Sequence, residues 1–296
     1  MTSIWKTLMF MLLLAAVSVW IAVVNYSGNL RVVACNVGQG DSILINLGKT
    51  QILIDGGPDR KVLDCLSKHV PFWDRTIEIV ILTHPQKDHF GGLIEVAKRH
   101  NIKNFVATPL DNSSEEYRAL KTILGGRGVK VIQPRKGQSI RVGLMHFDIL
   151  SPSDDILSQN LTCDELKKEA NILGYCTSKT DPNIFSVVLA LHYQKFDALF
   201  TGDIGPKEID KLINEKTIND VEYIKVPHHG SKNGLTESLL NASEPELAII
   251  SVGKNTYGHP HIEVLEMLDS YGVRIFRTDE KGDIVVETDG ITMKIK

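Results

Sequence analysis

The run Thr83-His84-Pro85-Gln86-Lys87-Asp88-His89 holds two imidazoles and a carboxylate within seven residues. Those side chains suit Zn2+, Mn2+ or iron. Just before it, 77–82 (IEIVIL) is a short apolar run of the buried-strand kind, and Gly91-Gly92 mark the start of a helix. The cluster therefore lies on a tight strand-to-helix turn where side chains converge, and such loops carry function more often than core positions do. Three later strand ends repeat the theme. Leu199-Phe200-Thr201-Gly202-Asp203 ends an apolar strand on a carboxylate, with Gly202 allowing close backbone approach. Taken alone, Asp203 reads at least as well as an N-cap for the helix after Pro206. Residues 224–232 (IKVPHHGSK) set His228 and His229 before a glycine: one suits a metal, the other a substrate contact or a proton transfer. Residues 251–260 (SVGKNTYGHP) end a fourth strand in a loop carrying His259. Successive strands ending in Gly-Asp, His-His-Gly and Gly-His-Pro predict, together with His84–His89, one metal constellation. Lys232 and Lys254 on these loops read as solvated surface lysines, and His69, His100, His146 and His192 fall outside the cluster.

The elements that must position these residues alternate between strand-like and helical runs. Residues 31–37, 42–47 and 51–55 read as strands separated by glycine-rich turns, 61–70 as a helix, 92–100 as a helix, 104–107 as a strand and 113–124 as a helix ended by Gly125-Gly126. Strands follow at 129–132, 139–142 and 145–150. The polar stretch 151–182, with a helix expected at 164–172, reads as an insertion or lid. Strands at 184–192, 198–201, 222–226, 247–252, 274–277, 283–287 and 292–295 then alternate with helices at 207–214, 235–241 and 262–271. Two such halves suggest sheets packed between outer helices and sharing one site.

Composition sets broader limits. The chain has 296 residues, 43% apolar and 23% charged, so a real core is expected. Its formal charge of −3 argues against a protein that coats nucleic acid through a basic surface. Leu8–Val24 carries no charge and approaches the roughly 17–25 residues needed to cross a bilayer. It predicts a single-pass anchor with the remaining chain outside the cytoplasm; secretion after signal cleavage is the alternative. Cys35 and Cys65 sit in apolar patterns and are expected to pack as small hydrophobes, whereas Cys163 and Cys176 can pair in an oxidising compartment.

On 36–42 (NVGQGDS), 52–57 (ILIDGG), 82–93, 183–189, 199–203, 225–232, 249–259 and 277–279, the chain resembles the metallo-β-lactamase fold. Within it, the nearest likeness is to the metallo-β-lactamase-type domain of ComEC-type DNA-uptake proteins and its stand-alone relatives. The resemblance implies an α/β fold, an αββα sandwich with metals at the sheet ends over 30–296, preceded by the transmembrane helix and linker of 1–29. The family motif H-x-H-x-D-H falls on His84, Gln86, Asp88 and His89. By resemblance Asp88 and His89 join Asp203 and His229 in one metal site, with Asp55 and Asn183 supporting the ligands. His84 with Gln86 forms a weakened second site, because Gln replaces an imidazole, 183–186 supplies no histidine, and Lys87 adds positive charge beside the motif. One Zn2+ or Mn2+ is expected. The implied activity is hydrolysis of a phosphodiester, DNA among the candidates, by a metal-activated water oriented by Asp88 or Asp203, with His228 or His259 protonating the leaving group. The alternatives are a degenerate binding protein and a surface phosphocholine-type esterase. No protein partner follows from the sequence, and one apolar span cannot form a DNA channel.

Overall fold

The computed structural model describes residues 3–24, 28–164 and 173–296, with side chains of the first helix given for 4–18. In chain order the strands are β1 (Leu30–Ala34), β2 (Ile43–Leu47), β3 (Thr50–Ile54), β4 (Thr76–Leu82), β5 (Asn101–Ala107), β6 (Lys130–Ile132), β7 (Ser139–Val142), β8 (Met145–Ser151), β9 (Thr162–Cys163) and β10 (Cys176–Thr177). They continue as β11 (Val188–Tyr193), β12 (Phe196–Phe200), β13 (Tyr223–Lys225), β14 (Leu247–Ile250), β15 (Arg274–Arg277), β16 (Ile284–Thr288) and β17 (Met293–Ile295). One sheet runs β17-β16-β1-β2-β3-β4-β5-β6 and the other β15-β14-β13-β12-β11-β8-β7, with β9 and β10 forming a separate short pair. The chain's last strands thus return to the first sheet, where Val286 lies opposite Val32.

Alternation along the strands builds three apolar layers. Ile79 and Ile81 of β4 face the second sheet, and Ala198 and Phe200 of β12 with Leu247 and Ile249 of β14 face the first. Val80 and Leu82 turn outward onto Phe90, Val96, Tyr117 and Leu120 of the covering helices. Leu199, Ile224 and Ile250 turn outward onto Leu240, Val264 and Leu268. Two sheets back to back with helices outside is the expected αββα sandwich. Strands β3 to β6 are mutually parallel, as are β12 to β15, so their carboxyl ends open on one edge of the sandwich. In open α/β sheets that is where ligands bind.

Several expectations need correction. Cys35 and Cys65 do not pack as free thiols: they form a disulfide, and Cys163 pairs with Cys176 as anticipated. Burial alone looks the same for a small hydrophobe and a cystine, and the thirty-residue separation hid the pairing. The helix after Ser114 spans Glu115–Gly126, through both glycines meant to end it; the chain turns instead at Gly128, where φ is +64°. The helix expected at 164–172 lies outside the described residues from 165 on. The apolar N-terminus does form a helix, Ser3–Val24, whose Ile4, Trp5, Phe10 and Leu12 are all at least 60% exposed. Among the described residues, however, no helix is long and apolar enough to cross a membrane. Side chains at 19–24 of the expected span lie outside the described ones.

Candidate metal centre

Each carboxyl end of a central strand contributes. β3 leads into Asp55, β4 into Thr83 and His84, β12 into Asp203, and β13 into His228 and His229. Asp88 and His89 sit on the short helical turn Lys87–Phe90. His228 and His229 both take the left-handed backbone, with φ of 51° and 54°, a conformation unfavourable for residues with a side chain and common where a site demands it. Gly202 also has positive φ, and a Cβ there would lie 2.9 Å from the Cβ of Ser186, so only glycine brings β12 this close.

These turns bring together four donor atoms. Asp203 Oδ2 lies 3.3 Å from His89 Nε2 and 3.3 Å from His229 Nε2. Asp88 Oδ2 lies 3.4 Å from His229 Nε2 and 4.0 Å from His89 Nε2. A tetrahedron with metal–ligand bonds of about 2.1 Å has edges of about 3.4 Å, so these four separations are close to those around a single ion. His84, His89 and Asp203 form an overlapping triad whose donor atoms lie within 4.8 Å of one another.

The outer hydrogen bonds aim the rings inward. His89 Nδ1 lies 2.8 Å from Asp55 Oδ2, and Thr83 gives that same carboxylate both its backbone N–H and its hydroxyl. His229 Nδ1 is 2.9 Å from the carbonyl of Ser251. His84 Nδ1 is 3.1 Å from Thr83 Oγ1, whose own proton goes to Asp55. With Nδ1 of each ring engaged, Nε2 of His84, His89 and His229 is left buried and without a hydrogen-bond partner. Buried polar atoms are seldom left so, and three aimed at one space match metal ligands held in a fixed tautomer.

The electrostatics agree. Burial opposes positive charge on His89 and His229, but Asp203 and its neighbouring carboxylates outweigh it and raise both pKa values well above the ordinary range. The space therefore attracts cations. His84 is different: burial, with His89 beside it, lowers its pKa to about 3. His259 is lowered to about 4 by burial and by His228, and burial lowers His228 as well. These two rings pack 5.6 Å apart at the rim of the cluster, with His228 6.2 Å from His229.

One sequence expectation changes here. Lys87 does not oppose a cation: its ammonium is at the surface, 2.8 Å from Glu116. The cation against the site is Lys225, the last residue of β13, which sequence reading passed over along with its partner Asp41. Lys225 is 1% exposed and contacts Asp41 Oδ2, Asp203 Oδ1 at 3.3 Å and the carbonyl of Gly202 at 2.9 Å. Asn183 is buried on the turn Pro182–Phe185 with its side-chain oxygen unpartnered, and its carbonyl accepts from the N–H of Ser186, whose hydroxyl receives the Asp203 N–H. No histidine stands there, as expected. Gln86 donates its backbone N–H to the carbonyl of His84 at 3.0 Å.

With this geometry in hand, comparison with known proteins is direct: residues 35–144 match the metallo-β-lactamase superfamily. Over that stretch the chain is similar to metallo-β-lactamase domains. It is 27% identical over 269 residues to ComE operon protein 3 of Bacillus subtilis, covering 84% of this chain, and 27% identical over 256 residues to Recombination protein 2 of Haemophilus influenzae, covering 85%. The chain spans about a third of the length of these relatives, 32% and 28% respectively, and both are ComEC-type competence proteins. Among solved structures, the metallo-β-lactamase fold protein YhfI from Bacillus subtilis superposes with a TM-score of 0.55 at 12% identity, over 88% of this chain and all of that one. Such a likeness supports the fold alone. The fold implies divalent-metal binding, and the His/Asp cluster is the candidate place for it.

Proposed function

We propose that this chain is a metal-dependent phosphodiesterase, DNA among its substrates, whose single Zn2+ or Mn2+ is held by Asp88, His89, Asp203 and His229, with His84 beside them. The observation that carries this reading is the four-donor cluster spaced at 3.3–4.0 Å with its ring nitrogens buried and unpartnered. Superfamily members are generally metal-dependent hydrolases. A bound divalent ion supplies a water of lowered pKa and polarises the phosphoryl oxygen. Asp55 fixes the His89 tautomer, and Asp88, the most open of the four donors, is placed to orient the attacking water. His228 and His259 stay neutral at pH 7 and so accept a proton or hydrogen-bond substrate at the rim. DNA as substrate is suggested by the recombination in one relative's name and by the competence type of both. Two disulfides favour a domain outside the cytoplasm. The exposed apolar helix from Ser3 favours tethering at the cell membrane over release after cleavage.

The test is metal content of the purified full chain beside nuclease and bis-nitrophenyl-phosphate assays. One ion per chain and Mn2+- or Zn2+-dependent cleavage, lost by at least 100-fold in Asp203→Ala, is expected. Unchanged cleavage in that variant, or a chain that takes up no transition metal, would refute the reading; metal without cleavage of any ester would make it a binding protein.

A further inference from the structure

We propose that Lys225 is a resident cation that limits this centre to one metal ion, taking Oδ1 of Asp203 and Oδ2 of Asp41 and leaving only Oδ2 of Asp203 to the metal. The proposal rests on the metal-site reading above and concerns how many ions that site accepts.

Lys225 occupies an unusual place for its type. In β13, Tyr223 points between the sheets and Ile224 points to the outer helices. The next inward position belongs to Lys225, whose side chain crosses from the second sheet to Asp41, in the loop joining β1 and β2 of the first. All three ionic groups are at most 2% exposed. Buried charges are tolerated when paired or when they coordinate a metal. Here Lys225 provides that compensation for both carboxylates.

The consequence follows from the two oxygens of Asp203. Oδ2 faces His89 and His229 at 3.3 Å, whereas Oδ1 faces the Lys225 ammonium at 3.3 Å. A carboxylate bridges two metal ions through both oxygens or through one; the ammonium on Oδ1 closes the first mode and repels a second cation at close range. Lys225 is therefore an obstacle to a second ion separate from Gln86. Restoring the missing imidazole leaves the charge obstacle in place. Removing the ammonium exposes Oδ1 and leaves two buried carboxylates that a divalent ion would neutralise.

The experiment counts Mn2+ or Zn2+ bound to the full chain by native mass spectrometry and elemental analysis, with thermal melts to verify folding. Wild type and Gln86→His should each hold one ion, and Gln86→His/Lys225→Gln should hold two, a doubling that a merely structural lysine would not produce. Because Lys225→Gln strands Asp41, the triple variant adding Asp41→Asn removes the buried pair as a unit and should also hold two. Two ions in wild type or in Gln86→His would overturn the proposal while leaving the hydrolase reading intact. A single ion in both folded lysine variants would do the same. No ion in wild type would overturn both.

Discussion

Replacing Cys35 and Cys65 together with alanine tests a part of the structure that bears on both stability and the site. The bond joins the residue just after β1 to the helix Val62–His69 and closes a segment of thirty residues. In the chain-entropy treatment a loop of that size stabilises the fold by about 3.6 kcal/mol at 25 °C, against about 2.9 kcal/mol for the thirteen-residue loop of Cys163–Cys176. For a domain of this size 1 kcal/mol corresponds to roughly 2–4 °C, so the double variant should melt about 7–14 °C below wild type. Both cysteines are at most 1% exposed and sit among Val33, Val37 and Leu44, so reductant should leave the bond intact in the native fold and reach it only as the fold opens. The assay is circular-dichroism melting of both proteins with and without reductant, plus thiol counting under denaturing conditions. Two reactive thiols from Cys35 and Cys65 in non-reduced wild type, or a melting change under 2 °C, would refute the reasoning. The loop that follows Cys35 carries Asp41, the partner of Lys225, so the variant should also bind Zn2+ more weakly without losing it.

Two further outcomes follow from single side chains. Asp55→Asn removes the carboxylate that accepts from His89 and Thr83, and metal affinity measured by competition with a chelating dye should fall about 10–100-fold with the fold retained; equal affinity would mean that Asp55 does not set the His89 ring. Asp283 receives the Asn36 N–H and pairs with His69 and Lys68, and the His69 hydrogen bond leads in holding its pKa below the usual carboxylate range. A depressed folded pKa means that its stabilisation is present above the unfolded value of about 4 and is lost as pH falls through the folded value. Asp283→Asn should therefore cost about 1–2 kcal/mol in urea unfolding at pH 7, modest because Lys68 is mostly exposed, and progressively less below pH 4. A penalty that stays constant with pH would contradict this.

The sandwich and the strand-end cluster of histidines and aspartates were legible because each is written locally. Every donor follows an apolar strand, and a strand end converts sequence position directly into placement on one edge of the sheet. Gln86 and the lack of histidine at 183–186 could likewise be read from type alone. Asp41, Lys225 and the Cys35–Cys65 bond were not, because each depends on a contact between distant segments. A lysine in the stretch YIKVP reads as a surface residue, since lysines are almost never buried without a partner and the partner is 184 positions away. One signal was present: alternation in β13 puts Lys225 on the same side as Tyr223, facing the core. Lys87 misled for the opposite reason, since nearness in sequence to the histidines did not mean nearness in space.

The residues of the site divide between the two sheets. Asp55, His84, Asp88 and His89 come from the first, and Asp203, Lys225 and His229 from the second. Neither half contains the cluster, so it exists only once the layers have packed through Ile81, Leu189 and Phe200. An ion bound across that seam binds the folded state and not the separated halves, which adds its binding free energy to the packing of the sandwich: about 2.7 kcal/mol when the free ion stands at 100 times its dissociation constant. The Lys225–Asp41 pair spans the same seam and is present whether or not a metal is bound. It holds the second-sheet ligand Asp203 against the first sheet in advance, so the ion meets a formed site rather than having to assemble one.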